Sequence, residues 1–255
     1  MKIAVILGAR KGGNTHTTSL AFTEEMKRLG YVQPQYIFLR DYELKFCLGC
    51  RICFDKGEHF CPRKDDLLQI VDIIKHADGV IFASPVYMND VSGEMKTLID
   101  RMAFLAHRPA FFEKCSFIIT TAHAAGNKHA RQTLGAATFS WGFHHVGSLG
   151  LYIPTVKGPP DLTKYQNRIQ KSAKMFYEAI AKQTFKSPSL LALMTFKIQQ
   201  RSNTSPRYQN TLDYTYWKQK GFSNPNKGYF IATDTVWIKK KIASLMGSML
   251  LRYYG

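Results

Sequence analysis

Four cysteines, Cys47, Cys50, Cys53 and Cys61, form a C-x2-C-x2-C-x7-C run closed by Pro62. Gaps of two residues let three thiolates converge on one centre, and the longer return brings the fourth. So compact a run favours ligation of an iron–sulfur cluster over structural zinc, whose knuckles are usually paired C-x2-C units. Zinc and free thiols stay open as alternatives. Cys115, after Glu113-Lys114, reads as a small buried hydrophobe. A second chemistry is offered by residues 3–15, IAVILGARKGGNT, where five apolar residues run into a basic, glycine-containing loop and then a helix start. Arg10, Gly12, Asn14 and Thr15, with the amides of a helix N-terminus, suit a terminal monophosphate. The loop has neither the GK[ST] ending of a triphosphate loop nor GxGxxG spacing. Taken alone, it reads equally well as an exposed turn with a helix cap.

These groups must be positioned by regular elements. Apolar runs at 3–7, 36–39, 79–84, 117–121 and 146–153 read as strands, and 15–29, 65–76, 93–106, 127–141 and 161–182 read as helices. Gly30 stands where a helix-closing C′ glycine would, and Asn14 or Thr15 could cap the first helix. The runs at 80–83 and 117–119 are too continuous for half-exposed strands and suit a parallel sheet covered on both faces. Five βα units imply an α/β, doubly wound, five-stranded parallel sheet of order 2-1-3-4-5, which binds ligands beyond the carboxyl ends of its strands. The loops to watch are therefore 8–15, 40–64, 84–93 and 121–128.

Residues 84–101, SPVYMNDVSGEMKTLIDR, follow one of the continuous apolar strands. Together, the 8–15 loop, this Ser-Pro-Val-Tyr loop and the downstream Asp100-Arg101 resemble the NADPH-dependent FMN reductase family of flavodoxin-like proteins, over about residues 1–182. The resemblance implies FMN as cofactor and NAD(P)H as reductant, with electrons passed to a small-molecule or protein acceptor. It implies that Arg10, Gly12, Asn14 and Thr15 hold the FMN phosphate. Pro85, Val86, Tyr87 and Met88 would line the flavin ring, with Asn89 near it, and the loop bearing Thr121, His123 and Gly126 would close over the flavin edge. His123 reads either as a flavin contact or as a solvent-facing loop histidine. One departure is visible: the family's loop carries Ser ahead of the arginine, where this chain has Gly8-Ala9. A hydroxyl partner for the phosphate is missing, and weaker affinity is expected. Because the flavin carries the chemistry, no catalytic acid, base or nucleophile is required of the chain. The cysteine run resembles that of iron–sulfur flavoproteins, whose cluster feeds electrons to FMN, and so implies a [4Fe–4S] cluster on Cys47, Cys50, Cys53 and Cys61. The family also implies a homodimer with flavin near the interface.

The chain of 255 residues carries a net charge of +17 and is 45% apolar. Residues 183–255 hold 11 Lys/Arg against 2 Asp/Glu, and the βα alternation stops there. We therefore expect an FMN-binding domain over 1–182 and a basic, partly helical extension over 183–255. The charge favours anionic partners without choosing among them, and no nucleic-acid-binding motif is present. No segment approaches the roughly 18 unbroken apolar residues of a membrane span. Residues 236–253 have apolar side chains at helical spacing opposite a basic face, which suits either peripheral contact with an anionic membrane or packing on the protein. His144 and His145, adjacent on a strand, point to opposite faces and make poor joint metal ligands. With the first strand beginning at once after Met1-Lys2 and the cysteines read as unpaired, a cytoplasmic setting is expected. Two other functions are compatible with the sequence: an iron–sulfur electron carrier that does not use nicotinamide, and a non-catalytic membrane- or partner-binding module.

Overall fold

The computed structural model describes residues 1–154, 160–183, 185, 187–232 and 242. Five strands, β1 (Lys2–Leu7), β2 (Gln33–Phe38), β3 (Gly79–Tyr87), β5 (Cys115–Ala122) and β6 (His144–Tyr152), form a parallel sheet in the order β2-β1-β3-β5-β6. A sixth strand, β4 (Asp90–Val91), turns back antiparallel on β3, so the sheet has six strands where five were expected. The five parallel strands keep the expected doubly wound order.

The unbroken apolar strands follow from having two cores. Along β1, Ala4 and Ile6 face one cluster while Ile3, Val5 and Leu7 face the other. β3 divides in the same way, with Val80 and Phe82 opposite Ile81 and Ala83. The first cluster is closed by α3 (Leu67–His76), α4 (Gly93–Arg101) and α6 (Asn127–Ser140). The second is closed by α1 (Asn14–Lys27) and α7 (Gln166–Ala181), through Phe22, Met26, Ile169 and Phe176. With both faces covered, the side chains of such strands are mostly apolar, with Ser116 and Thr120 of β5 as buried polar exceptions.

Several local expectations are corrected. The helix expected over 93–106 is two, α4 and α5 (Phe104–His107), because the chain turns at Met102-Ala103 while the apolar residues continue to pack. Helix α1 is preceded by Gly13 at its N-cap and has no side-chain cap, so neither Asn14 nor Thr15 caps it. It ends through Arg28 in right-handed conformation, and Gly30 does not adopt positive φ. Gly30 is small for packing: an added Cβ would lie 2.2 Å from the Tyr177 hydroxyl.

Cys115 is 3% exposed within the second core, and burial pushes its thiol up to about 11. A short helix, α2 (Ile52–Asp55), lies in the cysteine loop. Beyond α7 come α8 (Leu190–Asn203) and α9 (Leu212–Gln219). They gather a small aromatic core of Phe196, Trp217, Phe222 and Phe230, against which Phe112 of the α/β unit packs. The amphipathic stretch 236–253 lies outside the described residues except for Ile242. Among the described residues no helix is long and apolar enough to cross a membrane.

Candidate functional site

Loops at the carboxyl ends of β1, β3 and β5 meet around a cleft of about 400 Å³. That size suits a mononucleotide-scale ligand. Arg10, Gly12, Asn14 and Thr15 line it from the first loop, Pro85, Val86 and Tyr87 from the second, and Thr121 and His123 from the third. Arg10 is exposed and, among the described residues, has no ion-pair partner, whereas neighbouring Lys11 is held by Asp41 at 2.9 Å. The uncapped start of α1 leaves its first-turn amides as orphan donors beside that guanidinium. Positive charge and free amides at one end of a cleft are what an anion requires.

Met88, Asn89 and Gly126 are not among the cleft walls. Met88 and Asn89 both have positive φ, 47° and 65°, and are the two central residues of the tight β3–β4 hairpin. Such a turn needs left-handed backbone at both positions. Met88, at the tip, is 98% exposed. Gly126, also left-handed at 85°, lies under the hairpin, and an added Cβ would come within 2.6 Å of Val86 Cγ1 and 2.8 Å of Asn89 Cα.

Thr15 and Thr121 are buried, and their hydroxyls share a hydrogen bond of 2.7 Å that ties the start of α1 to the end of β5. The Gly12 amide donates to His16 Nδ1 at 3.0 Å. Burial, helped by the charge of Lys11, pushes the His16 pKa down and favours the neutral ring that accepts this bond.

The four cysteines line a second, smaller cavity of about 80 Å³ together with Phe54, Pro62, Arg101 and Phe104. Cys47 and Cys50 are exposed, and Cys53 and Cys61 are half-buried. Burial, with Cys61 and Cys47 close by, pushes the Cys53 thiol up. Among the described residues no three such side chains converge on a point that would hold a single metal ion. The loop is organised from behind by Arg101, which is 5% exposed. Its guanidinium donates to Lys45 O at 2.7 Å, Arg63 O at 3.3 Å and both carboxylate oxygens of Asp65, and lies 3.7 Å from Cys61 Sγ.

The family model for NADPH-dependent FMN reductase matches residues 1–157. The chain belongs to the NADPH-dependent FMN reductase family. An iron–sulfur flavoprotein of Archaeoglobus fulgidus is 32% identical over 228 residues, 87% of this chain and 100% of the relative. One from Clostridioides difficile is 30% identical over 195 residues, 75% of this chain and 84% of the relative. Among solved structures, a flavone reductase superposes with a TM-score of 0.55 at 13% identity, covering 74% of this chain and 66% of its own. RosB, with bound 8-demethyl-8-formylriboflavin-5'-phosphate, superposes with a TM-score of 0.53 at 14% identity over 92% of both chains. These two likenesses concern the fold, which is flavodoxin-like.

In this FMN reductase family member, residues not singled out from sequence hold the loops in place. Ser92 Oγ donates to Gly8 O at 2.7 Å and accepts from the Met95 amide, capping α4, while its own amide donates to Ser84 Oγ at 2.9 Å. Gly8 must be small, because an added Cβ would lie 2.5 Å from Ser92 Oγ. Gly8 is thus required by this buried clamp. Capping position was the one signal that marked Ser92, through its place just before Gly93.

Proposed function

We propose that this FMN-dependent oxidoreductase binds FMN in the cleft between the β1, β3 and β5 loops, with Arg10 and the first-turn amides of α1 taking the phosphate. The observation that carries this reading is the Arg10 guanidinium, without an ion-pair partner among the described residues, beside the uncapped helix in a cleft of about 400 Å³. When bound, the flavin would supply hydride acceptance from NAD(P)H and onward transfer of electrons. Pro85, Val86 and Tyr87 contribute a stiff, partly apolar wall, and Thr121 and His123 bound the opposite side. Thr15 acts chiefly through its bond to Thr121, keeping the two loops together.

The four cysteines support a second cofactor. All four line one cavity, and a compact C-x2-C-x2-C-x7-C run suits a cluster better than the paired knuckles of structural zinc. We assign Cys47, Cys50, Cys53 and Cys61 as its ligands, in keeping with the names of the relatives. Leu48 on the wall of one cavity and Tyr87 on the wall of the other are exposed, as are Phe46, Phe60 and Met88 near them in sequence, and this exposed apolar surface supports a homodimer that covers it.

An anaerobic absorption spectrum of the purified chain, with flavin, iron and sulfide analysis, tests both cofactors at once. Bound FMN together with oxidation of NADH or NADPH supports the reductase. Bound flavin and iron without nicotinamide oxidation favours an electron carrier, and a colourless chain that takes up no FMN overturns the reading.

A further inference from the structure

The C-terminal extension is strongly basic, and Asp213 is one of only two acidic residues after position 182. Its side chain is 9% exposed and points into the α/β unit. One carboxylate oxygen accepts from Arg108 Nη1, and the other is 2.7 Å from His107 Nδ1. Arg108 is itself buried, and its other nitrogen donates to the Cys53 carbonyl at 2.8 Å and to Glu58 Oε2 at 2.9 Å. A single guanidinium thus joins the extension to the backbone of a cysteine in the four-thiol run.

Four further contacts run the same way. The Phe54 ring packs 4.4 Å from the His107 ring. Gly57, with φ of 114°, lies close against α9, since a Cβ there would come 3.1 Å from Leu212 Cδ2 at its start. From the far side the extension grips the same segment: Trp217 Nε1 donates to His107 O at 2.8 Å and Gln199 Nε2 to Ala106 O at 2.6 Å. Beyond the Arg101 strut and the packing of Cys53 and Phe54 on the first core, the cysteine loop has little to hold it, because neither of its short helical turns contains a buried residue. Segments with so few buried contacts open locally at low cost unless something else fixes them.

We propose that Asp213 is a positioning residue for the four-cysteine loop: acting through Arg108, it fixes the Cys53 backbone, so that the C-terminal extension governs how well the loop retains what its thiols bind. The inference rests on the proposed function only for the identity of that group, an iron–sulfur cluster. Removing Asp213 withdraws one of the two carboxylates that hold Arg108 in place. Without Asp213, Arg108 keeps Glu58 alone, on the loop it is meant to hold.

The test is Asp213→Asn in the full chain, with Asp213→Glu as the conservative rescue and Glu58→Gln as a milder perturbation from the loop side. One readout is the rate at which Cys53 takes up a maleimide in reduced, metal-free protein, mapped by mass spectrometry. The other is iron per chain, beside FMN per chain, after anaerobic reconstitution with ferrous iron and sulfide. Asp213→Asn is expected to label Cys53 about tenfold faster and to retain severalfold less iron with FMN content unchanged. Asp213→Glu restores both, and Glu58→Gln moves labelling in the same direction by less. Parental labelling and iron content in Asp213→Asn overturn the proposal. Should Asp213→Asn lose iron and FMN together, it has lost its fold, and unchanged Cys53 labelling in Glu58→Gln then overturns the proposal. If the parent chain takes up no iron, the cluster reading fails, while the labelling rate still decides for or against the clasp.

Discussion

Among the described residues Arg10 is the one Lys or Arg on the wall of the cleft, so the phosphate reading concentrates on it. A charge-assisted hydrogen bond contributes about 1.5–3 kcal/mol, so Arg10→Ala is expected to weaken FMN binding by about 10- to 100-fold. Riboflavin, which lacks the phosphate, should bind parent and variant alike; both affinities follow from quenching of flavin fluorescence. Equal loss for the two flavins would remove Arg10 from the phosphate site. Gly126 is constrained differently, by a positive φ and by Val86 and Asn89 pressing on it. Gly126→Ala should lower stability by about 1–3 kcal/mol through backbone strain and overpacking, read as a fall in the denaturation midpoint. At this scale the sequence speaks where residue type is rare and spacing is functional. Four cysteines in a compact run, or an arginine in a glycine loop, announce chemistry. Ser92 and His16 do not, because their roles come from neighbours that residue type and spacing leave unmarked, Gly8 for one and the Gly12 amide with the rings of Tyr36 and Phe38 for the other.

At the scale of elements, the parallel strands were legible because burial on both faces writes itself as continuous apolar runs. The β3–β4 hairpin was not. Pro85 reads as a strand end, and Met88-Asn89 lacks the glycine that usually marks such a turn. The break between α4 and α5 was equally hidden, since Met102, Phe104 and Leu105 remain buried across it. Ser92 joins these elements by capping α4 and holding the Gly8 carbonyl. Ser92→Ala should therefore destabilise by about 1–3 kcal/mol, more than a surface cap costs, because a buried carbonyl loses its donor. The strut behind the cysteine loop adds a pH dependence. Burial alone would raise the Asp65 carboxyl, but the Arg101 guanidinium and the amides of Lys45 and Leu67 outweigh it and hold the pKa below its ordinary value. A depressed folded pKa means that the stabilisation is complete above the unfolded value of about 3.9 and is lost as pH falls through the folded one. The melting temperature of the parent should exceed that of Asp65→Asn by a constant margin from neutral pH to about pH 5, and the margin should shrink below about pH 4. A margin that narrowed near neutrality would assign the effect to another group.

For the whole molecule, the composition marks a boundary near residue 183 but says little about how the two parts depend on each other. Turn clusters and excess charge look the same in a separate module and in a docked one. The packing distinguishes them. Among the described residues the extension buries four aromatics, Phe196, Trp217, Phe222 and Phe230, against which Phe112 of the α/β unit packs. So small a core does not sustain a segment of this size alone, where conformational entropy offsets nearly all of the burial. Its folding must therefore be coupled to the sheet domain through the 106–112 segment. The expected outcome is one cooperative denaturation transition for the full chain, with helical circular dichroism and tryptophan fluorescence coincident. Trp217→Ala should shift that single transition by about 3–5 kcal/mol, the usual cost of emptying a large aromatic site. Trp217→Phe should cost less, losing mainly the indole bond to His107 O. Two separated transitions, with Trp217→Ala moving only the weaker one, would make the extension an independent module and leave the sheet domain to hold its cysteine loop unaided.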